Sequence, residues 1–228
     1  MVKQLANVAV LALSVCIVVP CSAELVVATG DPSTLATAQD LTLADPTEIV
    51  GTLDGVNQND VNFFKLDIYS TAFSAFTLDA GAFGIPDTAL FLFDSSGVGV
   101  YMNDDISGSN TFSCLPSGDA GNPCPTGRGG TGPLTDGIYY LAISRSANYP
   151  VDAFDNEIFS PVSSTDVVGP SSTNPVAGWD GGTFTSPDFD LINYDIMLTG
   201  VVPEPMTWPL TVGAVLIAAF LRRKRIAK

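Results

Sequence analysis

The residues best equipped for chemistry in this chain are its carboxylates. Of 24 Asp and Glu in 228 residues, 23 lie between positions 24 and 203, where Lys65, Arg128 and Arg145 supply the only positive charge. Hard divalent cations such as calcium take several carboxylate and carbonyl oxygens from turn-rich backbone. Asp60, Asp94, Asp104 and Asp105 stand at the ends of predicted strands, where such ligands could converge on a calcium ion. The competing reading is that aspartates in these turns cap backbone amides and keep the surface soluble. A D-x-D-x-D-G loop is missing, so there is no EF-hand signal. Two carboxylates can also cleave a glycosidic bond, but among 23 acids close pairs arise by chance. Asp104 and Asp105 are adjacent and within a strand would point to opposite faces. The chain has no His, which removes His-based triads and His-containing metal sites. It carries no Gly-x-Ser-x-Gly elbow, zinc motif or phosphate loop. These residue types point to a non-catalytic protein. A segment of net charge −20 repels phosphate backbones, so nucleic acid is not an expected partner.

The elements that must position these residues read as strands. Asn62 to Tyr69 alternates, with Phe64, Leu66 and Ile68 on one face and Lys65 and Asp67 on the other. Similar runs occur at 48–53, 72–78, 88–93, 98–102, 138–143 and 194–198, separated by clusters of Gly, Pro, Asp, Asn and Ser. Strands of this length and number, with turn chemistry between them, imply two antiparallel sheets packed face to face. Phe91–Tyr101 is the clearest hairpin, with Asp94 to Gly97 as its turn. Of Tyr139 and Tyr140, one ring is expected in the core and one at the surface. Residues 105–136 and 146–190 read as long insertions with few core-forming runs, and loops of that length are usually functional or mobile. Exposed aromatic rings can stack on sugars, which makes Tyr101, Tyr149 and Trp179 candidates for a carbohydrate face.

Both ends of the chain read as addresses. Lys3, the apolar run Leu5–Val19 and the small residues Cys21 and Ala23 form a signal peptide over 1–23, an N-terminal signal helix cut after Ala23. Pro20 breaks the run before it reaches the roughly 20 residues a membrane span needs. Cys16 and Cys21 leave with this segment, so the exported part keeps Cys114 and Cys124 in an oxidising compartment, where a disulfide between them is the default. At the other end, Pro203-Glu204-Pro205 precedes the uncharged stretch 206–221 and the basic group Arg222, Arg223, Lys224, Arg225 and Lys228. As a helix, 206–221 spans roughly 24 Å, slightly less than a hydrocarbon core, and flanking arginines can make up the shortfall. The positive-inside rule places 222–228 in the cytoplasm and the acidic segment outside.

Pro-Glu-Pro, one apolar helix and a closing basic cluster, in that order over about the last 27 residues, resemble the PEP-CTERM sorting signal of Gram-negative bacteria. The same tail is also known as an ice-binding protein C-terminal domain. Ice binding would want flat, regularly spaced Thr arrays, and none are visible. The resemblance implies that exosortase, a membrane transpeptidase-like cysteine protease, recognises Pro203, Glu204 and Pro205 and cleaves near them. Residues 206–221 would then be a temporary anchor, and 202–228 the whole sorting signal. The protein would pass through the inner membrane and end at the cell surface or in the extracellular matrix. The bland alternative is a permanent single-pass anchor.

The middle of the chain carries a second resemblance. Ile49-Val50-Gly51-Thr52-Leu53 followed by Asn59-Asp60-Val61-Asn62-Phe63-Phe64 resembles the opening of bacterial pre-peptidase C-terminal (PPC) domains. Thr88–Asp94 with Gly97 and Asn103-Asp104-Asp105, Gly137–Ile143 and Tyr194–Leu198 are similar to later stretches of that family. The resemblance implies a jelly-roll-like β-sandwich over 24–201 that serves as a secreted accessory or binding module. Asn62 stands where the family often has a second Asp, which weakens a calcium site there. The expectation is an exported, acidic, all-β protein, structural or binding in role. The alternatives are a calcium-dependent module for exopolysaccharide and, third, a carboxylate-dependent hydrolase.

Overall fold

A computed structural model describes residues 24–54, 60–69, 72–78, 87–116, 124, 132–133, 135–181 and 191–202. The expected signal peptide with Ala23, the Pro203–Pro205 motif, the expected helix at 206–221 and the basic cluster lie outside these residues. The described residues are all-β, and no helix among them is long and apolar enough to cross a membrane.

The strands are β1 (Glu24–Val27), β2 (Gln39–Asp40), β3 (Pro46–Asp54), β4 (Val61–Ile68), β5 (Ser74–Leu78), β6 (Thr88–Asp94) and β7 (Gly99–Asn103). They continue with β8 (Cys114–Leu115), β9 (Gly137–Arg145), β10 (Pro150–Val151), β11 (Val167–Val168), β12 (Gly178–Trp179) and β13 (Leu191–Thr199). One sheet runs β1-β3-β13-β5-β8 and the other β11-β7-β6-β9-β4-β2, while β10 and β12 pair separately. All seven strands expected from alternation are present, as β3 to β7, β9 and β13. Pairing is antiparallel except at two edges, where β1 runs parallel to β3 and β2 parallel to β4.

The two large sheets share one core and form a sandwich-like pair of layers. Ile49, Leu53, Tyr194 and Ile196 from one meet Phe64, Leu66, Leu90, Leu92, Leu141 and Ile143 from the other. Tyr139 joins this core, while Tyr140 packs half-buried against the opposite face of its sheet. A polar link between the sheets is Asn62, whose side-chain amide donates to the Thr52 carbonyl at 3.1 Å and the Tyr194 hydroxyl at 2.9 Å. An aspartate could not donate these bonds. Tyr194 sits opposite Gly51, and a Cβ at Gly51 would overlap its ring and hydroxyl. Gly51, Asn62 and Tyr194 thus form one fitted unit across the core.

The segment 146–190 departs from expectation. Its described part, 146–181, is a covering layer and not a loose insertion. β6 is buried along both faces: Leu90 and Leu92 face the shared core, whereas Ala89, Phe91 and Phe93 face outward with Val61, Phe63, Met102 and Ala142. Ile158 and Phe159, both fully buried, seal that outer face together with Tyr149, Val176 and Trp179. The segment's apolar residues show no regular spacing: those named converge on this face, whereas Val167 enters the shared core and Phe154 and Val162 are exposed. The other insertion, 105–136, contributes β8, whose Leu115 enters the shared core. Strands of two residues are too short to show alternation, which is why they escape a sequence reading.

Cys114 and Cys124 form a disulfide with their Cα atoms 5.4 Å apart. The bond ties Cys124 to β8 at the sheet edge and leaves neither thiol free to ligate a metal. Closing so short a loop contributes about 3 kcal/mol at most in the chain-entropy model.

Two outcomes follow. Gly51→Ala must displace a buried tyrosine and its bond to Asn62, an overpacking that costs roughly 1–3 kcal/mol in urea unfolding. The second concerns Asp195, which lies on the open face of the smaller sheet. Burial, then the charge of and a hydrogen bond with Glu48, raise its carboxyl above the ordinary value of 3.8. A raised folded-state value means that protonation favours folding. Its stabilising contribution is complete below the unfolded value and is lost as pH climbs through the folded one. Asp195→Asn therefore raises the melting temperature at pH 7 and leaves it little changed below about pH 4.

Candidate metal centre

The β6–β7 hairpin positions carboxylates at both of its ends. At the turn, Asp94 accepts from the backbone amides of Ser96 at 2.8 Å and Val98 at 3.1 Å, and Gly97 adopts φ +82°. Asp94 caps the turn through its Oδ1. At the open end, Leu90 pairs with Asn103, so Asp87 before β6 and Asp104-Asp105 after β7 come together. One carboxylate oxygen from each of Asp87, Asp104 and Asp105 lies within 4.8 Å of those of the other two.

This group is only partly neutralised, by Arg145 beside Asp87, and is not hydrogen-bonded to completion. Asp104 is 2% exposed. Its Oδ2 accepts from the Ser146 hydroxyl at 3.1 Å and the Tyr149 hydroxyl at 3.0 Å. Its Oδ1 is buried with no hydrogen-bond partner, and so is Oδ1 of Asp105. Burial, aided by the charges of Asp105 and Asp87, pushes the Asp104 carboxyl up to about 7. Burial and then Asp105 likewise raise Asp87, against the pull of Arg145. Buried polar atoms normally find partners, and an orphaned carboxylate oxygen is costly.

The donor set is three hard oxygen ligands without nitrogen or sulfur, which suits calcium or magnesium and not zinc or copper. Oxygens on opposite sides of a calcium ion stand roughly 4.6–5.2 Å apart, so the spacing of these three fits a single ion. As a glycosidase pair the group is poorly placed. A general acid must touch the glycosidic oxygen, and Asp104 is too deeply buried to meet a polymer.

Two of the four aspartates expected to gather do so. Asp94 lies at the far end of β6, about 23 Å along the strand from Asp87. Asp60 precedes β4, which β9 separates from β6, roughly 10 Å away across the sheet. Asp87 was missed, although it precedes a predicted strand and the hairpin register carries it toward Asp104. Asp104 and Asp105 do not lie in a strand: β7 ends at Asn103 and the backbone bends at Asp104, so strand alternation does not apply to them.

The proposed carbohydrate rings are committed elsewhere. Tyr101 is fully buried in the shared core, and its hydroxyl donates to the Pro116 carbonyl. Trp179 packs edge-on against Phe63 and Phe91, and Tyr149 against Phe91. A different feature opens nearby: a cleft of about 730 Å³ lined by Asp155, Glu157, Ser160 and Thr173. Asp152, also in its wall, accepts from the amides of Phe154 and Asn156, the Ser172 hydroxyl and the Asn174 amide. The Asn174 bond, with the other donors, holds its carboxyl well below the usual range despite burial. Asp152 organises the covering layer and has no capacity left for a ligand. No protein-family model and no curated protein matches this chain.

Proposed function

We propose that this chain is an exported, non-catalytic protein of the cell surface or extracellular matrix, sorted by exosortase through its C-terminal tail. One observation carries the reading: Pro203-Glu204-Pro205, an uncharged apolar stretch and a basic cluster stand in that order after an acidic segment that follows an export signal. The Cys114–Cys124 disulfide supports it, because such bonds persist in oxidising compartments. In this reading the tail holds the protein in the inner membrane until exosortase acts, and a jelly-roll-like, PPC-like module is what reaches the outside. Mass spectrometry of protein recovered from outside the cells tests it. The mature chain should begin at Glu24 and lack 206–228, whereas a chain still carrying that segment contradicts processing.

A second reading, a calcium-dependent module for exopolysaccharide, is favoured by the open polar cleft, whose carboxylates, amides and hydroxyls match sugar hydroxyl groups. Retention of the protein on purified exopolysaccharide should fall in Glu157→Ala and in chelator. Undiminished retention in both excludes this cleft as the binding face.

A further inference from the structure

We propose that Asp87, Asp104 and Asp105 form a calcium site that fastens the covering layer, residues 146–181, onto the outer face of the six-stranded sheet. The inference is independent of how the protein is sorted.

The carboxylates themselves are the first support. Three of them converge, and two of their oxygens are buried without a hydrogen-bond partner. Asp104, 2% exposed, presents one such oxygen while its other is held in place by Ser146 and Tyr149. A divalent cation bound among them would offset the mutual repulsion of the three charges and offer a partner to buried carboxylate oxygens that lack one.

The connections of the cluster are the second support. Ser146 opens the covering layer; its amide donates to the Asp87 carbonyl at 3.0 Å and its hydroxyl to Asp104. Tyr149 donates to Asp104 and places its ring against Phe91, inside the apolar patch that the layer covers. Farther along the layer, the Asp105 amide donates to the Ser164 carbonyl at 2.8 Å. The Asn103 side chain donates to the Asp166 carbonyl at 3.2 Å, and β11 then pairs with β7. The layer is thus pinned at its start and its middle by the residues that would surround the ion. Without the ion, like charges spread those pins apart; with it, they are drawn together.

The test uses the full chain with terbium as a luminescent stand-in for calcium. Tyr149, which donates to Asp104, should sensitise terbium emission, and calcium should displace it. Hydrogen exchange across 146–181 should slow on adding calcium and recover in chelator, while exchange in β3 and β13 changes little. Asp87→Asn and Asp105→Asn should each weaken terbium binding roughly tenfold or more and abolish the calcium-dependent protection. Both should fold, since each removes a repelling charge, and their melting temperatures in chelator should match or exceed that of the parent. Asp94→Asn, at the other end of the hairpin, should keep both responses. The proposal is overturned if calcium leaves exchange in 146–181 unchanged, or if both aspartate variants respond as the parent does.

Discussion

A sheet that is apolar on both faces needs two partners, and that requirement organises this protein. Along β6 the side chains go alternately to two separate cores, so the strand has no solvent face. The smaller sheet satisfies one side. The other side would expose Phe91, Phe93 and Phe63 if residues 146–181 were not laid over them. Burying a phenylalanine contributes on the order of 1.5–3 kcal/mol, so the cover is part of the fold's stability and not an ornament on it.

A cover with little regular structure must be held by polar bonds at specific points. Asp152 gathers its middle, with four residues donating to one carboxylate. At the end of the sheet where β6 begins and β7 and β9 finish, the pins are carboxylates of the sandwich itself. There the demands of packing and charge conflict, because three acids are brought together beside one guanidinium, that of Arg145. The proposed cation would resolve the conflict, so that a structural role and a binding role would coincide at this point.

Much of the sandwich was legible in the chain. Alternation in β4 and the Asp94–Gly97 turn set the strand and the hairpin, and Cys114 and Cys124, the two cysteines left once 1–23 is expected to be removed, were expected to bond. The covering layer was not legible, because its buried residues are scattered among Ser, Pro and Asp and show no period. The signal for it lay in the strand beneath: Ala89-Leu90-Phe91-Leu92-Phe93 is a continuous apolar run, which implies burial on both faces. The acidic cluster was half legible. Strand ends indicated where aspartates gather, but which ends meet depends on sheet order, and β9 standing between β6 and β4 is a long-range fact that no local pattern carries. Tyr101 misled because a tyrosine in an alternating strand gives no sign of which face holds its ring.

The central claim is that the layer over the outer face is an integral part of the fold, closed by an ion between Asp87, Asp104 and Asp105. Anomalous diffraction from crystals grown with calcium or terbium tests it most directly. The account predicts one strong anomalous peak within coordination distance of all three carboxylates, with Phe159 packed on Phe91 and Phe93. A map with no peak there, or a segment 146–181 lifted from the sheet with the site filled, would contradict it.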